Sequence, residues 1–599
     1  MSAADPITAE LIRNSLQAIV DEMALTLVRT AYSANLKSAM DLSSAVCDKH
    51  GRLIAQGLTL PLHLGSIPDA IAALLQRFGD SFRPGDAFVL NDPYAGGTHL
   101  PDFFVFQPVF DGEHHLAFVV TVAHHTDVGG RVAGGNGWDS TEIYQEGLRI
   151  PPLRLCTNGR LNDDFLHLLA ANVRIPVKVL GDLRAQLAAC HVGERGLLDL
   201  VQRYGREMLE VAFEDLLSHT ERLAREAIKQ LPEGRYAFVD YLDDDGIDPE
   251  PIPFRVAVTV RGSDMEVDFN GSSPQVKGAI NCVLSFTRSA VYACARCLLP
   301  PTLPNNEGYM RTITVVAPPG TIVNPLSPAP VAARGLTGYR IANAVMGALA
   351  QVAPERVPAC ESGGDTGISL GGYDAQRRAF VFLEFLVCSW GGRPYADGID
   401  GIASMVVNFS NYPVEVIERE YPLRIEEYGF LPDSGGPGKF RGGLALVRRY
   451  RFLEESGTFQ IRSDRSRFGA YGLAGGGPGR RSRNVLNPGP HEKLLAAKTT
   501  LHVSHGDVLR HELAGAGGWG NPLARDPQAV LVDVRNDKIT PAHALEAYGV
   551  VVDAGATCVD EAATARARSA AARRSTGARS ATSTARAVSR QRQAQSRSD

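Results

Sequence analysis

The chain has 599 residues, 44% of them apolar and 21% charged, with 60 glycines and a formal net charge of -5. That length implies several structural units, and the acidic balance argues against a dedicated nucleic-acid binder, which would present a basic face. No run of eighteen uninterrupted apolar residues appears, so no membrane span is expected.

"MSAADPITAE" has neither a basic n-region nor an apolar h-region, which makes the cytoplasm the expected location. Residues 7–31 then predict one long amphipathic helix. Apolar residues from Ile7 to Val28 recur every three or four positions, and Asp5-Pro6 supplies an N-cap and a first helical residue. "SSAVCD" and "GRLIAQ" flank a "KHG" turn and predict a hairpin. "IPDAIAALLQRF" predicts a helix stopped by Gly79, and "DAFVL" a short strand.

Next comes "NDPYAGGTHLPDFFVFQPVF", a tight-turn signal "DG", and "HHLAFVVTVAHHTDVGG". Pro108 marks the first of these strands as a sheet edge or as carrying a bulge. If Asp111-Gly112 is a two-residue loop, Phe110 pairs with Glu113 and His99 falls opposite His124. A bulge would shift this by one. Either way the ribbon gathers His99, Asp102, His124, His125 and Asp127 at one end. Adjacent His124 and His125 must point to opposite faces of the strand.

Two imidazoles and a carboxylate suit a divalent metal, zinc or manganese, with room left for water. Asp41, in "AMDLSSAV", is a candidate fourth ligand. A polar hydrogen-bond network, or histidines with no shared task, fits the same spacing.

Residues 161–232 are helical in pattern, 235–275 strand-like, and 285–299 helical again. Beyond 300, glycine- and proline-rich loops alternate with short strands and a helix at "GYRIANAVMGALAQV". "DSGGPGKFRGG", "LAGGGPG" and "LAGAGGWG" fail the phosphate-loop and dinucleotide patterns and are expected to be structural turns. Residues 522–550 predict two helices and a final strand. From about 555 the chain is Ala, Ser and Arg, with nine arginines against Glu561 and Asp599 after position 560, and is expected to be a disordered tail. The nine cysteines are scattered. Cys294 and Cys297 have no second pair for a structural zinc and read as buried thiols on one helix.

The fold class is therefore α+β: a multi-unit mixed chain with antiparallel sheets, a helical segment near 161–232 and a C-terminal tail. The expected units are a metal-site region over 1–235, a mixed region over 236–552 and the tail over 553–599.

"NDPYAGGTHLPD", "AHHTDVGG", "TEIYQEGLRIPP", "NVRIPVKVLGDLRAQLAA", "LPNNEG" and "PDSGGPGKFRGGL" occur in order and resemble the hydantoinase B/5-oxoprolinase family over roughly residues 6–552. The resemblance implies the metal-holding hydrolytic subunit of an ATP-dependent cyclic amidohydrolase. Its substrate would be a hydantoin, 5-oxoproline or a related lactam. ATP would be bound by an actin/sugar-kinase-like A-type partner, in a heterotetramer, which accounts for the missing nucleotide motif. The alternative it carries is the large subunit of an ATP-dependent ketone carboxylase.

Carried over by motif, Asp41, His99, Asp102 and His124 match the metal ligands. His125 and Asp127 are the candidates for orienting those ligands or moving a proton. Asp92, His63 and Glu142 are candidates for the outer shell or the substrate side. The usual "TPGGGGYG" is here "LAGAGGWG", and "RVAGGNGWDS" lacks prolines often found there, which leaves the ring open.

Overall fold

The computed structural model describes residues 5–79 and 81–573. Helix α1 (Pro6–Thr30) starts as its sequence predicts: the Asp5 carboxylate accepts from the amides of Ile7 and Thr8, and Pro6 is the first helical residue. A short turn of helix, α2 (Ala34–Lys37), leads to strand β1 (Leu42–Asp48), which pairs antiparallel with β2 (Leu53–Gln56). Helices α3 (Pro61–Leu64) and α4 (Ile67–Phe78) precede β3 (Ala87–Leu90), β4 (Asp102–Asp111) and β5 (His114–His124). With β6 (Leu153–Thr157) and β7 (Arg160–Leu161) these make one seven-stranded antiparallel sheet, ordered β2-β1-β5-β4-β3-β6-β7.

The hairpin turns one residue later than the Asp111-Gly112 reading places it. Asp111 pairs with His114 across Gly112 and Glu113, and a bulge at Val109/Phe110 shifts the rest, so Asp102, not His99, lies opposite His124. The bulge expected near Pro108 is there, but β4 is an inner strand. Proline is tolerated because β3 pairs only with Phe104 to Phe106 and has ended before Pro108 is reached.

Helices α5 (Asp163–Asn172), α6 (Pro176–Tyr204) and α7 (Arg206–Ile228) fill the predicted helical segment. The long helices α1 and α6 cover one face of the sheet. Gly193 of α6 lets the backbone approach: a Cβ there would lie 2.9 Å from Val119 of β5. With both faces covered, β1 is buried along its whole length.

A four-stranded sheet follows: β8 (Gly234–Leu242), β9 (Ile252–Arg261), β10 (Asp264–Asp268) and, parallel to β10, β11 (Ile313–Val316). Between them come α8 (Leu284–Arg296) and α9 (Glu307–Met310), and after them the nearly all-buried α10 (Gly335–Val352). Cys294 is buried in α8, whereas Cys297 is not within the helix but at its C-cap, and is exposed.

The remaining strands form two antiparallel sheets. One holds β12 (Thr366–Tyr373), β13 (Ala379–Leu386), β16 (Ser456–Arg462) and β19 (Lys498–Ser504). The other holds β14 (Leu423–Phe430), β15 (Leu446–Phe452), β17 (Arg483–Leu486), β18 (Lys493–Leu495) and β20 (Val508–Glu512). The short helix α11 (Val414–Glu420) leads into β14. The three glycine-rich loops stack on one another through backbone hydrogen bonds: Gly436 N to Ala516 O (2.8 Å), Gly477 N to Pro437 O (2.7 Å) and Gly518 N to Gly477 O (2.9 Å). At Gly436 a Cβ would press on backbone atoms of both other loops, so the glycines there serve packing.

Helices α12 (Pro527–Arg535) and α13 (Pro541–Tyr548) follow as predicted, but the expected final strand is only a bridge between Val552 and Val559. Residues 553–573, assigned to the tail by composition, fold back onto this unit, and 561–573 are helical. Thr564 Oγ1 accepts from Val551 N at 3.0 Å, and Arg568 donates to the carbonyls of Tyr548 and Arg525. The rest of that expectation, residues 574–599, lies outside the described residues. Among the described residues no helix is long and apolar enough to cross a membrane.

Candidate metal centre

Strand order builds the site. Because β5 lies between β1 and β4, the residue before β1, the first of β4 and the last of β5 are neighbours. These are Asp41, Asp102 and His124. His124 N donates to Asp41 O at 3.1 Å, and Asp102 pairs with His124. His99 precedes β4 in the turn that Gly96 makes at φ +86°, where a Cβ would run into the Asp69 carbonyl. His99, Asp102 and His124 each offer a ligand atom within 4.8 Å of the others, and all three are buried. The rings of His99 and His124 lie 4.9 Å apart.

The donor set is primed for a cation. His99 Nδ1 lies 2.9 Å from Ala332 O, so that nitrogen carries the proton. Burial, and then the Arg334 charge, lower the His99 pKa to about 4, so the ring is neutral near pH 7. Its Nε2 lone pair therefore faces Asp102 Oδ1 at 3.2 Å, acceptor against acceptor. Both Asp41 oxygens and His124 Nε2 are buried without a hydrogen-bond partner. Burial pushes Asp41 up to about 7, and burial and the neighbouring His99 push His124 well down. Such a set of orphaned nitrogen and carboxylate donors fits a divalent cation.

Asp102 is the anchor. Burial alone would raise its pKa, yet its surroundings, the Arg334 guanidinium among them, hold it well below the usual carboxylate range. Its Oδ2 accepts from Thr98 Oγ1 and from the buried guanidinium of Arg334, which leaves Oδ1 for the His99 side. Arg334 also lies 4.1 Å over the Phe286 ring.

His63 of α3 is at the centre too, its Nε2 3.4 Å from Asp102 and 3.7 Å from Asp41. The other outer candidates are elsewhere: Asp92 pairs with Arg149 at 2.8 Å, and Glu142 is exposed. His125 points, as strand alternation requires, to the α6 side. Its Nε2 meets Gln186 Oε1 at 3.0 Å, and its ring stacks on Phe103. Asp127 is tied to Arg174 at 3.0 Å and to Gly134 N.

Arg334 and Glu146 carried no signal in the sequence. Glu146 is fully buried, and its Oε1 accepts from Val331 N (2.7 Å) and Ala332 N (2.9 Å), fixing the strip that holds His99 and Asp102. Burial pushes its carboxyl up to about 8.

The family model for hydantoinase B/oxoprolinase matches residues 5–522. Caprolactamase subunit beta of Pseudomonas jessenii is 33% identical over 572 residues, covering 92% of this chain and 97% of that one. The crystal structure of the ATP-dependent caprolactamase from Pseudomonas jessenii superposes with a TM-score of 0.88 at 32% identity, over 95% of this chain and 100% of that one. A nucleotide-free acetone carboxylase structure gives 0.89 at 22% identity, over 96% and 84%, a likeness of fold.

Proposed function

This chain belongs to the hydantoinase B/oxoprolinase family, and we propose that it is the metal-holding hydrolytic subunit of an ATP-dependent cyclic amidohydrolase that opens a hydantoin, 5-oxoproline or lactam ring. Its A-type partner binds the ATP. One observation carries the reading: the His99 lone pair faces the Asp102 carboxylate, beside an Asp41 carboxylate with no hydrogen-bond partner.

Asp41, His99, Asp102 and His124 would hold the ion, with zinc or manganese suited to the set. A divalent ion there supplies Lewis acidity toward a carbonyl oxygen and makes water easier to deprotonate. Arg334 and Thr98 fix the Asp102 carboxylate. The Ala332 carbonyl fixes the His99 tautomer. His63 Nε2 stands between the two carboxylates, 3.4 Å from Asp102 and 3.7 Å from Asp41. His125 and Asp127 orient the end of β5 through Gln186 and Arg174. The site is sealed from bulk water, which strengthens each of these interactions.

An unstrained ring amide resists hydrolysis through its resonance. Phosphorylation of the amide oxygen at the partner's expense of ATP would give a good leaving group and an electrophilic ring carbon. The test is ATP-dependent opening of 5-oxoproline, hydantoin and caprolactam by this chain purified with its partner. Opening of at least one ring supports the reading. No opening, with bicarbonate-dependent ATP turnover on a ketone, would overturn it in favour of a carboxylase.

A further inference from the structure

The centre is sealed: Asp41, His63, His99, Asp102 and His124 are each at most 2% exposed. A substrate must pass a wall of side chains, and one wall leads to a cavity. Phe385 of β13 sets its ring edge-on to His124 at 5.5 Å, and Phe409 stacks on Phe385 at 5.3 Å. Phe409 also lines a cavity of about 490 Å³. The segment that carries it, 401–411, has no helix or strand. It is fastened to the elements of the centre: Val406 O accepts from Leu62 N, next to His63, and Ser410 N donates to Ala39 O, two residues before Asp41.

The lining of this cavity has no charged side chain. Trp390, Met405 and Phe409 give it apolar walls. Ser404 is engaged by Glu361, and Asn411 by Tyr428 and Val387, so Asn408 and Ser410 supply the amide and hydroxyl it offers. A larger, open cleft of about 610 Å³ differs, with Asp69, Arg77 and Arg288 in its lining. Amide and hydroxyl groups satisfy a neutral ring amide, whereas a carboxylate brought among them loses water and gains no cation.

We propose that the 490 Å³ cavity is the antechamber that binds the ring substrate, with the Phe385–Phe409 pair as the wall between it and the metal centre. It selects an uncharged cyclic amide, a lactam or hydantoin ring, over a ring that bears a carboxylate, such as 5-oxoproline. This rests on the ring-opening function proposed above.

The metal-loaded complex with the A-type partner is the material for the test. Saturation-transfer NMR without ATP measures binding of caprolactam, hydantoin and 5-oxoproline, and steady-state kinetics measures their opening. The neutral rings are expected to show saturable transfer and 5-oxoproline little. Trp390→Ala, with Trp390→Phe as the milder change, should weaken neutral-ring binding and raise KM with metal content unchanged. Asn408→Arg, at the exposed rim, should move the kcat/KM ratio toward 5-oxoproline by about tenfold. The antechamber is overturned if these variants leave binding and KM unchanged, or if substitution of Arg288 abolishes ring binding instead. The selectivity is overturned if the wild type takes 5-oxoproline as readily as caprolactam. If no ring is opened but neutral-ring binding is lost in the Trp390 variants, the cavity stands and the hydrolytic function falls.

Discussion

His99 and Asp102 meet acceptor to acceptor: Nε2 of the ring stands 3.2 Å from Oδ1 of the carboxylate, while Nδ1 donates to Ala332 O at 2.9 Å. A neutral imidazole and an ionised carboxylate repel in that arrangement unless a cation lies between them. Asp41, close by and without a hydrogen-bond partner, adds to the same negative well.

Asp41→Asn therefore acts in opposite directions on the two forms of the protein. With a divalent ion, affinity should fall by at least about tenfold, as ligand-shell losses do. Without metal, the amide removes a buried carboxylate that has no hydrogen-bond partner. Burial raises the folded-state value of Asp41 to about 7, above its ordinary value near 3.8. The wild type thus loses stability as pH rises from about 4 through 7, and the variant does not. Melting curves in chelator at pH 5 and pH 8 should show the variant gaining on the wild type at the higher pH. Equal curves would mean that Asp41 has a partner.

Glu146→Gln is expected to fold, because Oε1 remains to accept from Val331 and Ala332. The wild-type carboxyl is raised by burial from about 4.5 to about 8. The folded state keeps its proton where the unfolded chain has lost it, so wild-type stability falls as pH climbs through that window, at no more than about 1.4 kcal/mol per pH unit. The variant-minus-wild-type difference in Tm should grow from pH 5 to pH 8. A flat difference would contradict a protonated Glu146.

Arg334→Ala leaves the buried Asp102 carboxylate without its guanidinium. Breaking a buried pair from one side costs about 3–5 kcal/mol, and chemical denaturation should register a loss of that order. Arg334→Lys keeps the charge but not the planar stack on Phe286, and should fall between. A loss below about 1 kcal/mol for the alanine variant would mean that water or another group replaces the guanidinium.

The readable parts of the sequence were local. Asp5-Pro6 and a 3.6-residue period gave α1, and two strands joined by a short turn gathered His99, Asp102 and His124. The register was less readable, because "DG" suggested the loop while the strands paired one residue farther on and took up a bulge. Arg334 reaches Asp102 across 232 positions, and no spacing rule spans that distance. Glu146 was silent for the same reason, since its partners are backbone amides of residues 331 and 332. Composition misplaced the start of the tail because the helical residues 561–573 are held by polar contacts of Thr564 and Arg568, without a large apolar face.

The most direct measurement pairs metal content with ring opening in the complex of this chain and its ATP-binding partner, for wild type, His99→Ala and His124→Ala. The wild type should retain a divalent ion and open a neutral ring with ATP. Both variants should lose the ion and the opening together while melting as folded proteins. Full-rate opening by a metal-free complex would contradict metal-dependent hydrolysis at this centre.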